Sequence, residues 1–530
     1  MLATASFLAY QMWIWCFDRL SARDRRAIGA HIARRPDLPT LHVVIAVDRA
    51  SEQRVHATLC GLRQQLYPNW RATVILDAAC GITAADTVRQ AADPRIEIAR
   101  DPDAGSPAAA WTVAVAVGVL LRPHALYLIA LAAAEHPDAT LIYGDEDRIG
   151  PAGLRRDPYF KAGYSPELAR ATDYLGPCVA IRGAAAELPA YRSGDAMTWL
   201  RSVTTARAPG GAVRIPFVLY HDALAPRPQP DPLPAPAIPD SALPAVTIIV
   251  PTKDRLDLIR PCLDSLLALT DYPPERRELV VVDNGSSDPA TLAYLSATES
   301  TGAARLIRDP RPFNFSLINN DAAATASGDI LVFLNNDTQI VNGAWLRRLV
   351  GFAIRDDIGA VGLKLIYPNR RVQHIGIVLC GSTGGDAHVG IATDAPGYRG
   401  LAQQTHEVAA VTGACLAVRT ALFREIGGFD TEFPGNYSDV ILCLDLLARG
   451  YRNLVVADVE MIHHESQTRR FFHSNRRLSQ AHKAASGLAV ARYPDLFRDD
   501  PFYNPNLSWW RPYSLAFPPR VTKPWRKSRR

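Results

Sequence analysis

In the second half of the chain, several oxygen-bearing side chains directly follow short apolar runs. After VTIIV (246–250) come Pro251, Thr252, Lys253 and Asp254; after ELVVV (278–282) come Asp283, Asn284, Gly285 and Ser286; after DILVFL (329–334) come Asn335, Asn336 and Asp337. Runs of this length, rich in Val and Ile, read as buried strands of a parallel sheet. Open α/β sheets bind ligands beyond the carboxyl ends of their strands. Each acid alone is explained as a turn cap; three at neighbouring strand ends point to one crevice. Asp337, beside two carboxamides, offers hard oxygen donors that suit Mg2+ or Mn2+ and leave coordination positions for substrate phosphates. The glycine-rich GSTGGD (381–386) lacks the Lys-Ser/Thr of a phosphate loop, and no G-x-G-x-x-G follows a first strand. Kinase-like and dinucleotide sites are thereby disfavoured, and a metal-held diphosphate is the better reading. Asp439 opens the helical run 440–448, as a plain cap or as a general base at the positive end of a helix. His463 and His464 end another apolar stretch; one is expected to pack and one to face solvent, and either could be a late metal ligand.

These groups need a framework to bring them together. A chain of 530 residues is too long for one core, so two or three domains are expected. With 48% hydrophobic and 21% charged residues the composition is globular, and a net charge of +5 is not the footprint of a nucleic-acid binder. The basic tail Arg520–Arg530 reads as solvated surface. The eight cysteines form no Cys-x-x-Cys pair and read as reduced, mostly buried thiols. Met1 to Phe17 is apolar and aromatic but short for a membrane span, and reads as a packed amphipathic helix, with a membrane-surface helix as the alternative. The stretch 224–244 holds eight prolines and reads as an extended linker. On either side of it the pattern repeats: LHVVIAV (41–47), a helical pattern, Tyr67-Pro68 and a strand, then VTIIV, a helical pattern, Tyr272-Pro273 and a strand. The repeat indicates a duplicated domain.

From Val246 to about Thr468 the sequence resembles a family 2 glycosyltransferase of the GT-A fold. The resemblance rests on VTIIVPTKDR, VVVDNGSSD, FNFSLINNDAAATASGDILVFLNND, VTGACLAVR, IGGFDTEF, YSDVILCLDLLARGYR and HHES. The segments YQMWIW, DDPFYNPNLS and SLAFPPR also resemble two-module bacterial enzymes of cell-surface polysaccharide assembly, of the O-antigen and rhamnan type. The resemblance implies an α/β fold class: two Rossmann-like GT-A modules with mostly parallel central sheets, the first degenerate. The expected divisions are a helical segment 1–40, the degenerate module 41–223, the linker 224–244, the catalytic module 245–468 and a C-terminal helical extension with basic tail 469–530.

The resemblance further implies roles. Pro251, Thr252, Asp254, Asp283 and Asn336 would contact the donor nucleotide. Asn335 and Asp337 occupy the ends of the metal motif, with His463 or His464 as the late histidine. Asp439 matches the base, and Gly413 and Ala414 the backbone bordering the acceptor. Two departures are Asn335, an amide where a carboxylate is usual, and Ile441, where a second acid often follows the base. The first half departs further: Ala78-Ala79-Cys80 replaces an Asp-rich turn, the metal strand is expected to be deleted, YGDED (143–147) reads as a structural loop, and Asp195 is a weak base candidate. The expected activity is inverting transfer, dependent on Mn2+ or Mg2+, from a UDP- or dTDP-sugar (dTDP-rhamnose as a first trial) to a hydroxyl of a glycan or lipid-linked glycan. The expected setting is cytoplasmic, with peripheral contact at the inner face of the plasma membrane and no nucleic-acid partner. The alternatives are a nucleotidyltransferase and a non-catalytic glycan- or partner-binding protein.

Overall fold

The structure is a computed structural model that describes residues 2–49, 51–77, 80, 82–90, 92–99, 110–150, 152–183, 211–222, 238–464 and 476–526. It divides into two units, Met1–Pro230 with Tyr503–Arg530, and Asp231–Phe502. Most of the proline-rich stretch, and Asp195, lie outside the described residues.

In the second unit the apolar runs form strands as their β-branched content dictates. They are β10 (Val246–Thr252), β11 (Arg277–Asp283), β12 (Arg305–Arg308), β13 (Ile330–Leu334), β14 (Thr338–Ile340), β15 (Ile358–Ile366), β16 (Val372–His374), β17 (Ile377–Leu379), β18 (Gly384–Asp386), β19 (His406–Val408), β20 (Cys415–Arg419) and β21 (Arg452–His463). The sheet runs β12-β11-β10-β13-β20-β15-β21-β14, with β16 on β15 and β19 on β21, while β17 and β18 form a separate hairpin. β10 to β13 are parallel, β20 runs against β13 and β15, and β14 runs against β21. The antiparallel strands matter for function. They bring the start of β20 and the end of β21 to the sheet edge where β10 and β13 end.

The first unit repeats this plan with β1 (Leu41–Val47), β2 (Trp70–Leu76), β3 (Ile96–Ala99), β4 (Trp111–Ala116), β5 (Val119–Leu121), β6 (Leu141–Ile149), β7 (Arg155–Tyr159), β8 (Cys178–Arg182) and β9 (Ala212–Asp222). Its order is β3-β2-β1-β4-β8-β6-β9-β5, with β7 on β6, which matches the other sheet except that β19 has no counterpart. The Tyr-Pro repeat has a structural cause. Tyr67 donates from its hydroxyl to the Pro39 carbonyl at 2.7 Å, and Tyr272 to the Pro244 carbonyl at 2.6 Å, each anchoring the entry to the unit's first strand.

The strand expected to be deleted is present. β4 stands where β13 stands, with Val115 opposite Cys178 as Leu334 is opposite Cys415. What has been lost is its polar ending: Ala116-Val117-Gly118 replaces Asn335-Asn336-Asp337. YGDED is not a loop but the middle of β6: Glu146 and Asp147 are buried in ion pairs with Lys161 and Arg155, and Asp145 is buried among amide donors. The C-terminal extension is also divided differently from expectation. The helix Arg476–Arg492 belongs to the second unit and Tyr503–Arg530 to the first, where the Asn504 and Asn506 side-chain amides donate to the buried Asp145 at 2.9 and 3.1 Å. The N-terminal helices Leu2–Trp13 and Ala22–Ala33 belong to the first unit as well.

Candidate functional site

A cavity of about 560 Å3 opens at the strand ends of the second unit. Its walls include Pro251 and Thr252 from β10, Asn284 after β11, Asn335, Asn336 and Asp337 after β13, Gly413 and Ala414 before β20, Ser438 and Asp439 at the start of the helix Ser438–Ala448, and His463 at the end of β21. Of the acids expected in one crevice, Asp337 and Asp439 line this cavity, whereas Asp254 and Asp283 do not.

Sheet register brings each group there. Thr338 pairs with His463 across β14 and β21, so Asp337 meets the imidazole, with Asp337 Oδ1 3.0 Å from His463 Nε2. The other ring nitrogen, Nδ1, lies 2.9 Å from Gln373 Oε1, an acceptor. Gln373 therefore fixes Nδ1 as a donor, while Nε2 donates to Asp337; once that proton leaves, Nε2 is the nitrogen that can offer a lone pair to a cation. Burial works against the Asp337 carboxylate, but the hydrogen bond and charge of His463 outweigh it and hold the group below the usual carboxylate range. Asn336 Nδ2 donates to Thr252 Oγ1 at 2.9 Å, locking the end of β13 to the end of β10. Asn335 donates its backbone N–H to the Ala414 carbonyl at 3.1 Å, which sets the backbone before β20 beside Asn335 and Asp337.

Asp439 sits in the first turn of its helix, behind Tyr437 in a left-handed conformation (φ 67°). Its Oδ2 accepts from the Gly413 N–H at 2.7 Å and its Oδ1 from the Val440 N–H at 2.9 Å. A carboxylate has about four acceptor sites, so two backbone bonds orient it while it retains capacity for an acceptor hydroxyl. A side chain on Gly413 would point at Asp439: an added Cβ would lie 3.4 Å from the Asp439 Cβ. Ile441 is fully buried. Two residues on from Asp439, it lies on a different side of the helix, so an acid there would enter the core.

Other expected residues stand away from the wall. Asp254 holds a loop: its carboxylate accepts from the Ser287 and Asp288 N–H groups at 2.6 and 2.8 Å, and these bonds lower its pKa. Asp254 and Arg255 both have positive φ, 52° and 57°, a conformation costly for residues with a Cβ. Asp283 is buried and accepts from the Ser286 N–H at 2.9 Å and from Arg308 at 3.3 Å. Together they shape the loop that carries Asn284 into the cavity. His464 faces Gln339 at 3.2 Å, so of the two histidines His463 is the one at the site. Sequence reasoning missed Gln373, His374, Asp386, Phe313 and Phe315. Gln373 and His374 lie on a three-residue strand that carries no motif, and Asp386 ends the GSTGGD stretch considered only as a phosphate loop.

The residues suit a divalent cation. The cavity wall carries three carboxylates, Asp337, Asp386 and Asp439, and one formal cation, Lys253. A diphosphate would be repelled there unless a cation came with it. Among the described residues no cluster of three or more His, Cys, Asp or Glu side chains surrounds one point. The protein's share of such a site is therefore Asp337 and His463, with the remaining positions left for substrate oxygens and water, as is usual for Mg2+.

Residues 247–427 match the family model described as glycosyl transferase family 2. This segment is a family 2 glycosyltransferase domain. The chain is 34% identical to the O-antigen biosynthesis protein RfbC of Myxococcus xanthus, over 93% of this chain and 42% of that protein. It is 29% identical to protein y4gI of Sinorhizobium fredii, over 98% of this chain and 63% of that protein. The chain thus spans less than two thirds of either relative. Among solved structures, the chain is similar to the mannosyltransferase PcManGT of Pyrobaculum calidifontis in complex with GDP-Man and Mn2+ (20% identity, 50% of this chain, 73% of that chain, TM-score 0.35). A second is S. aureus TarS 1–349 in complex with UDP-GlcNAc (18% identity, 48% of this chain, 76% of that chain, TM-score 0.32).

Proposed function

We propose that the second unit transfers a sugar, with inversion, from a nucleoside-diphosphate donor to a hydroxyl of a cell-surface glycan. The observation that carries this reading is the presence of Asp439 and the Asp337–His463 pair in one cavity. Asp439 receives the proton of the acceptor hydroxyl as its oxygen attacks the anomeric carbon, and the Gly413 and Val440 N–H groups keep the carboxylate aimed. Thr252, Asn284 and Asn336 line the donor side, where the Asn336–Thr252 bond keeps two strand ends in register. Pro251 and Ala414 complete the wall, and Asp254 and Asp283 hold the donor loop from behind. Asp337 and His463 would hold Mn2+ or Mg2+, with Asn335 beside them; when bound, that ion offsets the charge gathering on the departing diphosphate. Similarity to a protein of O-antigen biosynthesis supports a polysaccharide acceptor.

The first unit is read as catalytically silent. Gly118 stands in the place of Asp337 and Asp222 in that of His463, since Val119 pairs with Asp222 as Thr338 pairs with His463. For the chain's setting we propose peripheral attachment to an anionic membrane surface. Exposed Leu8, Met12 and Trp15 follow helical spacing, Arg19 lies over the Trp15 ring at 4.4 Å, and Arg23, Arg25 and Arg26 are exposed on the next helix. Among the described residues no helix is long and apolar enough to cross a membrane. Sedimentation with phosphatidylglycerol vesicles, reduced in Trp15→Ser, tests this.

The transfer itself is tested by incubating the full chain with a panel of UDP-, dTDP- and GDP-sugars and Mn2+. Release of a nucleoside diphosphate is expected; release of pyrophosphate would favour a nucleotidyltransferase, and no turnover of any donor would contradict the reading.

A further inference from the structure

The cavity holds a carboxylate that the transfer step described above does not use. Asp386 ends β18 and lines the wall, with its side chain 26% exposed. Its Oδ1 lies 2.6 Å from Nδ1 of His374, which is 1% exposed. The far nitrogen of that ring, Nε2, accepts from two backbone groups, the Gly376 N–H at 3.3 Å and the Thr412 N–H at 3.4 Å. Two backbone donors aimed at Nε2 require it to be unprotonated, so the ring is the Nδ1–H tautomer and donates to Asp386. The next residue along is Gly413, whose N–H holds Asp439. Two carboxylates of one cavity are thus set by adjacent backbone amides, one directly and one through a buried imidazole.

The hairpin that carries Asp386 is fixed at its other end too. Tyr437, two residues before Asp439, accepts from the Gly384 N–H at 2.9 Å and bonds Thr383 Oγ1 at 2.8 Å through its hydroxyl. Asp386 and Asp439 therefore share supports on both sides. Thr252 and Asn336, on the donor side, are tied to each other instead.

We infer that Asp386 binds a second hydroxyl of the acceptor sugar, beside the one that Asp439 deprotonates, with His374 as its positioning residue. This rests on the transferase reading of the same site. A carboxylate is a poor neighbour for a diphosphate but a strong acceptor for neutral hydroxyls, so its place in the cavity favours the acceptor polyol over the donor's phosphates. The fixed position of Asp386 relative to Asp439 also supplies a distance rule between two hydroxyls, which is how a transferase would choose one linkage among several.

The experiment measures transfer by the full chain to a panel of methyl hexopyranosides and methyl 6-deoxyhexopyranosides, and donor hydrolysis in water as the parallel readout. Asp386→Asn is expected to raise the acceptor KM about 10–100-fold, the worth of a hydrogen bond to a charged group. Donor KM and hydrolysis should stay unchanged, and Asp386→Glu should recover part of the loss. A monodeoxy acceptor lacking the bound hydroxyl should lose as much with the wild type and nothing further with Asp386→Asn. A thermal melt of the variant in the released nucleoside diphosphate verifies that it folds and binds. An unchanged acceptor KM, an equal rise in donor KM, or a wild type that hydrolyses donor yet accepts no glycoside would overturn the assignment. If the wild type consumes no donor at all, the transferase reading fails first and takes this inference with it.

Discussion

The two units each have a sheet of the same strand order and differ in what stands at the corresponding edge. In the second unit, Gly413 stands two residues before β20, leaving space for Asp439 beside it. In the first unit, Gly176 stands two residues before β8, and the space beside it is filled. Its added Cβ would lie 2.1 Å from the Tyr220 hydroxyl, 2.4 Å from Glu146 and 2.7 Å from Lys161. Lys161 is fully buried, with Nζ 2.9 Å from Glu146 and 2.8 Å from both the Leu175 carbonyl and the Tyr220 hydroxyl. One edge is kept open and short of cations; the other is closed by its own ion pair. The histidine–aspartate pairs teach the same lesson. His463 and Asp337 face the cavity, whereas His221 and Asp147 pair one residue earlier along β9, and successive residues of a strand face opposite sides. Asp147 accordingly meets Tyr10 and Arg155, and Arg155 meets Asp18, which is also bound by Arg122. The histidine has moved one position along its strand and takes its aspartate from β6 instead of from the end of β4, so the same residue types serve a scaffold in place of a site.

The comparison is broken most severely at the proposed base. Asp439→Asn is expected to lower turnover about 10²–10⁴-fold with donor binding retained, while Glu146→Gln in the first unit should leave turnover per folded molecule unchanged; steady-state kinetics on both variants checks this. Next in size is the buried ion pair. Lys161→Met leaves Glu146 without its ammonium partner in a low-dielectric site and should cost about 3–5 kcal/mol in urea unfolding of the first unit, again without loss of turnover.

A pH effect of about 2–3 kcal/mol follows from Asp145. Burial pushes this group from 3.8 up to about 6, against the hydrogen bonds from Lys161 and Asn504. The folded protein then binds the proton more tightly than the unfolded chain, so this stabilisation is complete below about pH 4 and is lost as pH rises through 6. Asp18 has the opposite sign: burial opposes its charge, but Arg122 and Arg155 lower it from 3.8 to about 2, so its contribution is present above about pH 4 and is lost as pH falls through 2. Thermal midpoints of the first unit should rise from pH 7 to pH 4.5, and that rise should vanish in Asp145→Asn. The smallest effect sharpens the second unit alone. Gln373→Leu removes the group that orients His463 and should raise the Mn2+ concentration for half-maximal activity about 10–100-fold.

Much of this plan was legible in the chain. β-branched runs and the Tyr-Pro repeat marked both sheets, because strand composition and turn chemistry are local signals. Asp337, Asp439 and His463 were legible because each follows an apolar run or opens a helix. β4 was not, since Trp111–Ala116 carries no polar residue at its end to announce it, and β6 was read as a loop because buried ion pairs make a strand look like surface. Asp386 and Gln373 were hidden for another reason. Their partners, His374 at 12 residues and His463 at 90, are brought close only by the folded sheet. The assignment of Tyr503–Arg530 to the first unit depends on contacts of the same long-range kind, such as that of Asn504 with Asp145.

The central claim is that the open edge of the second unit, and not its counterpart, grips the cation and the diphosphate. Crystals of the full chain grown with Mn2+ and the nucleoside diphosphate released in the donor assay test it directly, through the anomalous signal of the metal. The account predicts one manganese peak about 2.0–2.3 Å from an Asp337 oxygen and from His463 Nε2, touching the diphosphate. A peak bound by the first unit, or a diphosphate seated away from Asp337, would contradict it.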